Sequence, residues 1–414
     1  MLVEHIIFAL VIILGLSLVA QPISKFLRMP FASILVLIGF VVSELVVYAG
    51  IDTGIRADNF QSIVFYVFIP VLVFEAAYNI DKQHLKNNIV VILFLAIVTM
   101  LLTCFIVAAL LFYGIGHASG FPWMAALITG AILAATDPVA VVAKLKEMAA
   151  PKRVSVLLEG ESLFNDATAI VLFSVFLSMA TAVGGEEYVN DLHSIAEVIV
   201  RFSVIFVGGA LLGAFVGLLF GFIQKTVKQD LLTAVLSLLA AYGSYLLAEF
   251  LMVSGVMATL LAALCFSLLV QQDKESSDEM SDTKNKHLWD VLSHVANVSV
   301  FLVVGAVISF EMFEQRWLAM LIAIISLLMA RAVSVYGVLM FFAFFEKLKV
   351  SLPMQAVMVW GGLRGAVTLA LALSLPISLD YWWTIQSIAF GVVLFSLFVQ
   401  APTMHLLIKK MPVK

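Results

Sequence analysis

Two stretches of the chain place carboxylates inside apolar surroundings. One reads Ala135-Thr136-Asp137-Pro138 and the other Glu159-Gly160-Glu161-Ser162-Leu163-Phe164-Asn165-Asp166. An ionisable side chain within a membrane-crossing helix costs on the order of 2.5–3.5 kcal/mol on insertion scales, so it is a functional-site hypothesis by default. Glu75, Asp137, Glu161, Asp166, Arg331 and Arg364 all lie well inside apolar runs. Glu4, Glu44, Glu197, Arg201 and Glu249 lie nearer the ends of such runs and read as structural or interfacial groups that snorkel to water.

Helix geometry sorts the second stretch. At about 100° per residue, Glu161 and Asn165 share one face, and Ser162 and Asp166 share another about 140° away. The two carboxylates therefore need not serve one ion. Glu161 is expected to form a structural ion pair with Arg331, because either charge left unpaired in the membrane would be strongly destabilising. Asp166 has only the Ser162 hydroxyl as a close local partner. Burial disfavours its charged form and a bound cation favours it, so it can hold a proton or a metal cation in turn, the minimum machinery of exchange.

The first stretch supplies the other half of a site. Pro138 removes a backbone donor and disfavours helix at the residue before it, and freed carbonyls at such a break can replace part of an ion's hydration shell. Asp137 either binds the ion or balances a positive helix end. Arg364, within Gly361-Gly362-Leu363-Arg364-Gly365, either balances a helix C-terminus or stabilises packing. Glu75 lies toward one end of its apolar run, where snorkelling competes with a role as ligand.

These groups must be positioned by membrane helices. The chain has 12% charged and 63% hydrophobic residues, whereas soluble domains carry about a quarter charged and under half apolar. About 20 apolar residues make one span, and such runs fall at 5–21, 31–50, 60–78, 88–113, 122–147, 154–182, 194–224, 231–250, 252–271, 288–310, 317–345, 353–375 and 382–409. The eighth and ninth divide least clearly, with Glu249 and Ser254-Gly255 offering the turn. No cleavable leader is read at the N-terminus. With thirteen spans and the N-terminus outside, only Arg56 and Arg316 of the 23 Lys and Arg residues fall in outer loops, and Arg201, Arg331 and Arg364 lie within or at the ends of spans. That asymmetry is the positive-inside pattern and puts the C-terminus in the cytoplasm. Gln271 to Asp290 reads as a solvated cytoplasmic linker, and the chain ends a few residues past the last span. Cys104 and Cys265 read as small buried hydrophobes, and no basic tract suggests nucleic acid. If span seven is a connector, spans five and twelve, each interrupted by Gly or Pro, are the fifth members of two six-helix units of opposite topology, a pattern of transporters built from inverted repeats.

Ala135 to Val141, Gly160 to Ala167, Ala330-Arg331 and Gly361 to Ala366 together resemble the sodium/proton antiporters of the NhaP and NHE type, within the monovalent cation/proton antiporter superfamily. The resemblance implies an all-α polytopic membrane protein with 13 transmembrane helices, in two inverted six-helix repeats whose broken spans five and twelve cross. It implies a dimerisation domain from residues 1–86 and 231–316, the latter including the loop 271–290. Residues 183–230 form a linker helix, and residues 87–182 and 317–414 a core that moves like an elevator. It implies a homodimer among membrane lipids in the inner (plasma) membrane of a bacterium or archaeon, with Na+ and H+ as transported ions, no cofactor, and a role in pH homeostasis. Asp166 corresponds to the ion-binding and proton-carrying aspartate, Ser162 and Thr136 to further ligands, Asp137 to the aspartate of the unwound helix, and Glu75 to an acidic residue approaching the sodium ion from the dimerisation domain. Glu161 and Arg331 match a buried pair. Asn165 beside Asp166, where electrogenic relatives carry two aspartates, implies one-for-one electroneutral exchange.

The expected activity is secondary antiport of sodium, or lithium, for protons, and the chain is not expected to be an enzyme. Potassium/proton exchange by the same machinery is the alternative. An intramembrane aspartyl protease, whose aspartate dyad shares a proton, and a cation channel rank below it.

Overall fold

A computed structural model of the chain describes residues 3–27, 29–48, 63–115, 121–182, 195–227, 229–272, 279–345 and 348–410. Arg28, Arg56, Lys228, Lys274, Lys347 and Lys414 of the loop-charge pattern, and the side chains of Glu4 and Glu197, lie outside the described residues.

The described chain is all-helical, and its helices track the apolar runs. They are α1 (Val3–Leu27), α2 (Phe31–Tyr48) and α3, a π-helical turn (Val64–Phe68) continuing into Ile69–Asn79. Next come α4 (Lys82–Leu93, a π-helical stretch Phe94–Thr99, then Met100–Gly114), the broken pair α5a (Trp123–Ala134) and α5b (Val139–Glu147), α6 (Lys152–Ala182) and α7 (Ile195–Val227). The second half holds α8 (Asp230–Phe250), α9 (Gly255–Gln272), α10 (Glu279–Val307), α11 (Phe310–Phe342) and the broken pair α12a (Leu352–Trp360) and α12b (Ala366–Leu373). The last is α13 (Trp382–Phe395, a π-helical turn Ser396–Gln400, then Ala401–Ile408). Among the described residues nine helices are long and apolar enough to cross a membrane, and Phe31–Leu45, Val64–Asn79 and Gly255–Val270 are shorter apolar helices.

The division between α8 and α9 falls where the polar residues put it. Met252 adopts a left-handed backbone (φ 57°), and the Ser254 hydroxyl accepts the Met257 N–H at 3.2 Å, capping the new helix. The solvated linker expected over Gln271 to Asp290 needs correction. Its first two residues finish α9, and from Glu279 onward it is the opening of α10. Asn285 and Trp289, four residues apart on one helix face, are buried while Lys284 and His287 are exposed. Trp289 stacks on Phe74 at 4.3 Å between ring centroids, and the Ser237 hydroxyl donates to Asn285 at 3.1 Å. A mixed-charge sequence hid an amphipathic helix. Likewise Arg316, expected in a loop, lies at a kink inside α11 (φ −130°, ψ 15°).

Close backbone approach organises the packing. Gly209, Gly213 and Gly217 of α7 face the backbone carbonyls of Ser254, Ala258 and Ala262 so closely that a Cβ at any of them would overlap, a small-residue seam of the kind membrane helices use in place of a hydrophobic drive. Gly39 of α2 approaches the Leu302 backbone of α10, and Gly305 of α10 the Val36 backbone of α2, in the same way. The helices α1, α2, α3, α8, α9 and α10 pack on one another with α7 laid along α9, while α4, α5, α6, α11, α12 and α13 pack mainly among themselves. Arg153, at the start of α6, joins the two halves of the second set: its guanidinium donates to Asn88 Oδ1 (2.9 Å) and to the backbone carbonyls of Lys349 (3.0 Å) and Leu348 (3.3 Å).

Candidate functional site: two broken helices and a shared cavity

The chain leaves the helix at Ala135 (φ −58°, ψ 136°) and re-enters it after Pro138, leaving the backbone groups of Thr136 and Asp137 without helical partners. The Gly361 to Gly365 run interrupts α12 in the same way, and the breaks cross: the Asp137 N–H donates to the Leu363 carbonyl at 2.9 Å. Gly365 is required there, since a Cβ would overlap the Asp137 carboxylate.

Four helix ends meet at this crossing, and side chains of opposite sign answer three of them. Asp137 Oδ1 accepts the Val139 N–H at 3.0 Å, and its carboxylate also takes the Ala366 N–H. It thus faces the positive N-termini of both α5b and α12b. At the negative C-terminus of α12a, Arg364 Nη1 donates to the Gly362 carbonyl (2.6 Å) and Arg331 Nη2 to the Met358 carbonyl (3.2 Å). For Arg364, open between two roles in the sequence, the geometry is that of a helix C-terminal counter-charge. The fourth end, the C-terminus of α5a, is closed by Asn165, whose amide donates to the Ala134 carbonyl (3.0 Å) and to Thr136 Oγ1 (3.2 Å).

Glu161 and Arg331 form the ion pair expected, at 2.5 Å with both side chains almost fully buried. Gly362 makes room for it, because a Cβ there would press on the Arg331 guanidinium. Arg364 in turn interacts electrostatically with Arg331, Glu161 and Asp166, and Asp166 with Asp137. The charges form one connected set.

Asp166 is the member left open. Its Oδ1 is buried and takes no hydrogen bond. Ser162 donates its hydroxyl to the Thr136 carbonyl, so the two expected ligands hold each other. Glu75 accepts from Asn79 Nδ2 at 2.8 Å, and the same amide donates to Asp290 of α10 at 3.1 Å. A cavity of about 510 Å³ is lined by Glu75, Thr136, Asp137, Ser162 and Asp166 together, so α3 does face the site, which periodicity alone left open. A larger cavity of about 1080 Å³ shares Asp137, Asp290 and Asn297 with it and reaches Lys25, Lys144 and His405.

Asn79, Asp290 and Thr368 also line the smaller cavity and were missed in the sequence. Asn79 had a signal, standing one helical turn after Glu75; Asp290 was hidden in the misread linker. The groups around Asp166 are carboxylate, hydroxyl and carbonyl oxygens, the donors hard cations take, and among the described residues no three His, Cys, Asp or Glu side chains cluster as a metal site. Of the residues near span ends, Glu44, Arg201 and Glu249 are exposed.

A profile described as sodium/hydrogen exchanger, transmembrane, matches residues 8–410. The chain belongs to the sodium/hydrogen exchanger family. The exchanger is 33% identical over 412 residues to the Na+/H+ antiporter ApNhaP of Aphanothece halophytica, covering 99% of this chain and 74% of that protein. It is 30% identical to the Na+/H+ antiporter NhaH of Halobacillus dabanensis, with 97% of each covered. Its fold matches the sodium proton antiporter MjNhaP1 of Methanocaldococcus jannaschii at pH 8 with a TM-score of 0.76 and 22% identity, over 98% of this chain and 99% of that one. The exchanger is therefore a multi-pass membrane protein of a secondary-transporter family, not an enzyme, and its helical fold, in which two broken helices cross, matches that of MjNhaP1.

Proposed function

We propose that this exchanger carries out electroneutral antiport of one sodium, or one lithium, for one proton, with both competing for Asp166. The observation that carries the reading is the single cavity on which Asp166, Ser162, Thr136, Asp137 and Glu75 converge at the helix crossing. Charge balance supports the stoichiometry. Within the connected set, Arg331 and Arg364 carry two positive charges against three carboxylates, Glu161, Asp137 and Asp166. One negative charge is left over, which one sodium ion or one proton neutralises. Asn165, being neutral, adds no second charge and instead ties α6 to the broken helix.

In this mechanism sodium displaces the Ser162 hydroxyl from the Thr136 carbonyl and takes oxygens from both, while Asp166 supplies the charge. Asp137 serves mainly the two helix N-termini and acts on the ion through the field. Glu75, held by Asn79, approaches from the other helix set. That set, residues 1–86 and 231–316, is the dimerisation scaffold of a homodimer in lipid, and residues 87–182 and 317–414 are the mobile core, joined through helix 183–230. Segregated packing favours this division, and the Arg153 clamp suits a core that moves as one body. The thirteen helical segments are taken as crossings, with the N-terminus outside, the C-terminus in the cytoplasm, and the cavities facing the cytoplasm of a plasma-membrane protein. The relatives named above are sodium/proton antiporters, and potassium exchange draws no support from them.

Proteoliposomes with an imposed potential test the stoichiometry. Transfer of one net charge per cycle would shift the equilibrium sodium gradient by about 50-fold per 100 mV, from about 2.3 kcal/mol per charge. The expected shift is none. A gradient that follows the potential would remove the one-for-one assignment, and sodium, lithium and potassium compared in the same vesicles would fix the selectivity.

A further inference from the structure

The donors assigned to sodium in the core all come from the first repeat, on α5 and α6. Of the second repeat's core helices, α12b borders the same cavity through Gly365, Ala366, Val367 and Thr368, and of these four only Thr368 carries a polar side chain. It is completely buried, and its Oγ1 has no hydrogen-bond partner. Helical threonines ordinarily donate to the carbonyl four residues back; Thr103, Thr129 and Thr168 do so here at 2.7, 2.6 and 2.8 Å. For Thr368 that carbonyl belongs to Arg364, which lies in the broken segment before α12b, so no helical turn presents it. A buried hydroxyl left unpaired is destabilising, a cost that alanine at the same place would avoid. Two other residues nearby with unpartnered atoms differ in placement: Asn165, with Oδ1 unpartnered, borders neither cavity, and Arg364, with Nε and Nη2 unpartnered, borders only the larger one.

We propose that Thr368 Oγ1 is a further oxygen donor to the dehydrated alkali cation at Asp166, contributed by the second repeat, and that it sets sodium affinity and selectivity. The assignment rests on the sodium/proton reading above. A hydroxyl oxygen replaces one water of the ion's shell, and its placement on α12b makes the site complete only when the two broken helices are crossed.

The test uses the full chain in proteoliposomes and compares wild type, Thr368→Val, Thr368→Ser and Thr368→Ala. Removing one charge-assisted contact should raise the sodium KM of the valine variant about tenfold, with a smaller effect on the maximal rate and a changed sodium-to-potassium preference. The serine variant, which keeps the hydroxyl, should restore both. An unchanged KM in the valine variant, or a serine variant as impaired as valine, overturns the assignment. If the valine variant does not fold, alanine against serine gives the same two outcomes. Failure of folded wild type to exchange sodium for protons would instead remove the underlying reading, whereas active wild type with an indifferent valine variant removes Thr368 alone.

Discussion

Asp166→Asn is expected to abolish sodium-driven proton movement in proteoliposomes while leaving a folded protein. The amide cannot take up or release a proton, and it removes the charge that offsets dehydration of the ion. A carboxylate oxygen about 2.4 Å from a hard cation contributes about 7 kcal/mol at an effective dielectric constant of about 20. Losing even half of that weakens binding more than about a hundredfold. Folding should survive because Asp166 Oδ1 makes no hydrogen bond that the amide would break and the two side chains have nearly the same shape. Exchange is read as sodium-induced alkalinisation followed by a trapped pH dye, and folding as a single elution peak with an unchanged melting temperature. Retained exchange would transfer the role to another carboxylate, with Asp137 first in line.

The second large effect is on stability. Glu161→Gln and Arg331→Met each break a pair buried to within a few per cent of complete, leaving an uncompensated charge, and each should destabilise the protein by about 3–5 kcal/mol. That is a large share of the roughly 5–15 kcal/mol that holds a typical protein folded. Arg331 should be the more damaging loss, because its guanidinium also answers the Met358 carbonyl at the end of α12a. The double variant with both residues apolar should recover part of the loss, since apolar replacement of a whole buried pair is often neutral or stabilising. Thermal unfolding in detergent measures all three. If the single variants melt like wild type, the pair is not structural.

Most of the fold was legible because a bilayer forces it. Twenty-residue apolar runs have few alternatives to helix, and Pro138 and the Gly361 to Gly365 run marked the two breaks by backbone chemistry alone. The Glu161–Arg331 pair was legible for the same reason, since an unpaired charge at that depth is too costly to keep. What escaped depended on the third dimension. Whether Glu75 faced the site turned on which side of α3 packs inward, and an evenly apolar helix does not reveal this. Asp290 and Trp289 were lost because the opening turns of α10 carry enough charge to read as loop, although Asn285 and Trp289 were already spaced to share a face. Thr368 was invisible for a subtler reason: threonine in a membrane helix is unremarkable until its usual carbonyl acceptor is seen to lie in a broken segment. Arg364 had no discriminator in sequence because its carbonyl partner, Gly362 two residues back, is presented only by the shape of the break, and the charge of Asp166 comes near only once the helices cross.

The claim that one carboxylate serves both ions is tested most directly by counting protons released when sodium binds. Titrating purified wild-type protein with sodium calorimetrically, in two buffers of different ionisation enthalpy, gives that number without transport or membrane potential. The account predicts one proton released per sodium bound where the site is protonated, with the apparent Kd for sodium rising about tenfold per unit of acidification in that range. Sodium binding with no proton release, and an affinity indifferent to pH, would contradict it.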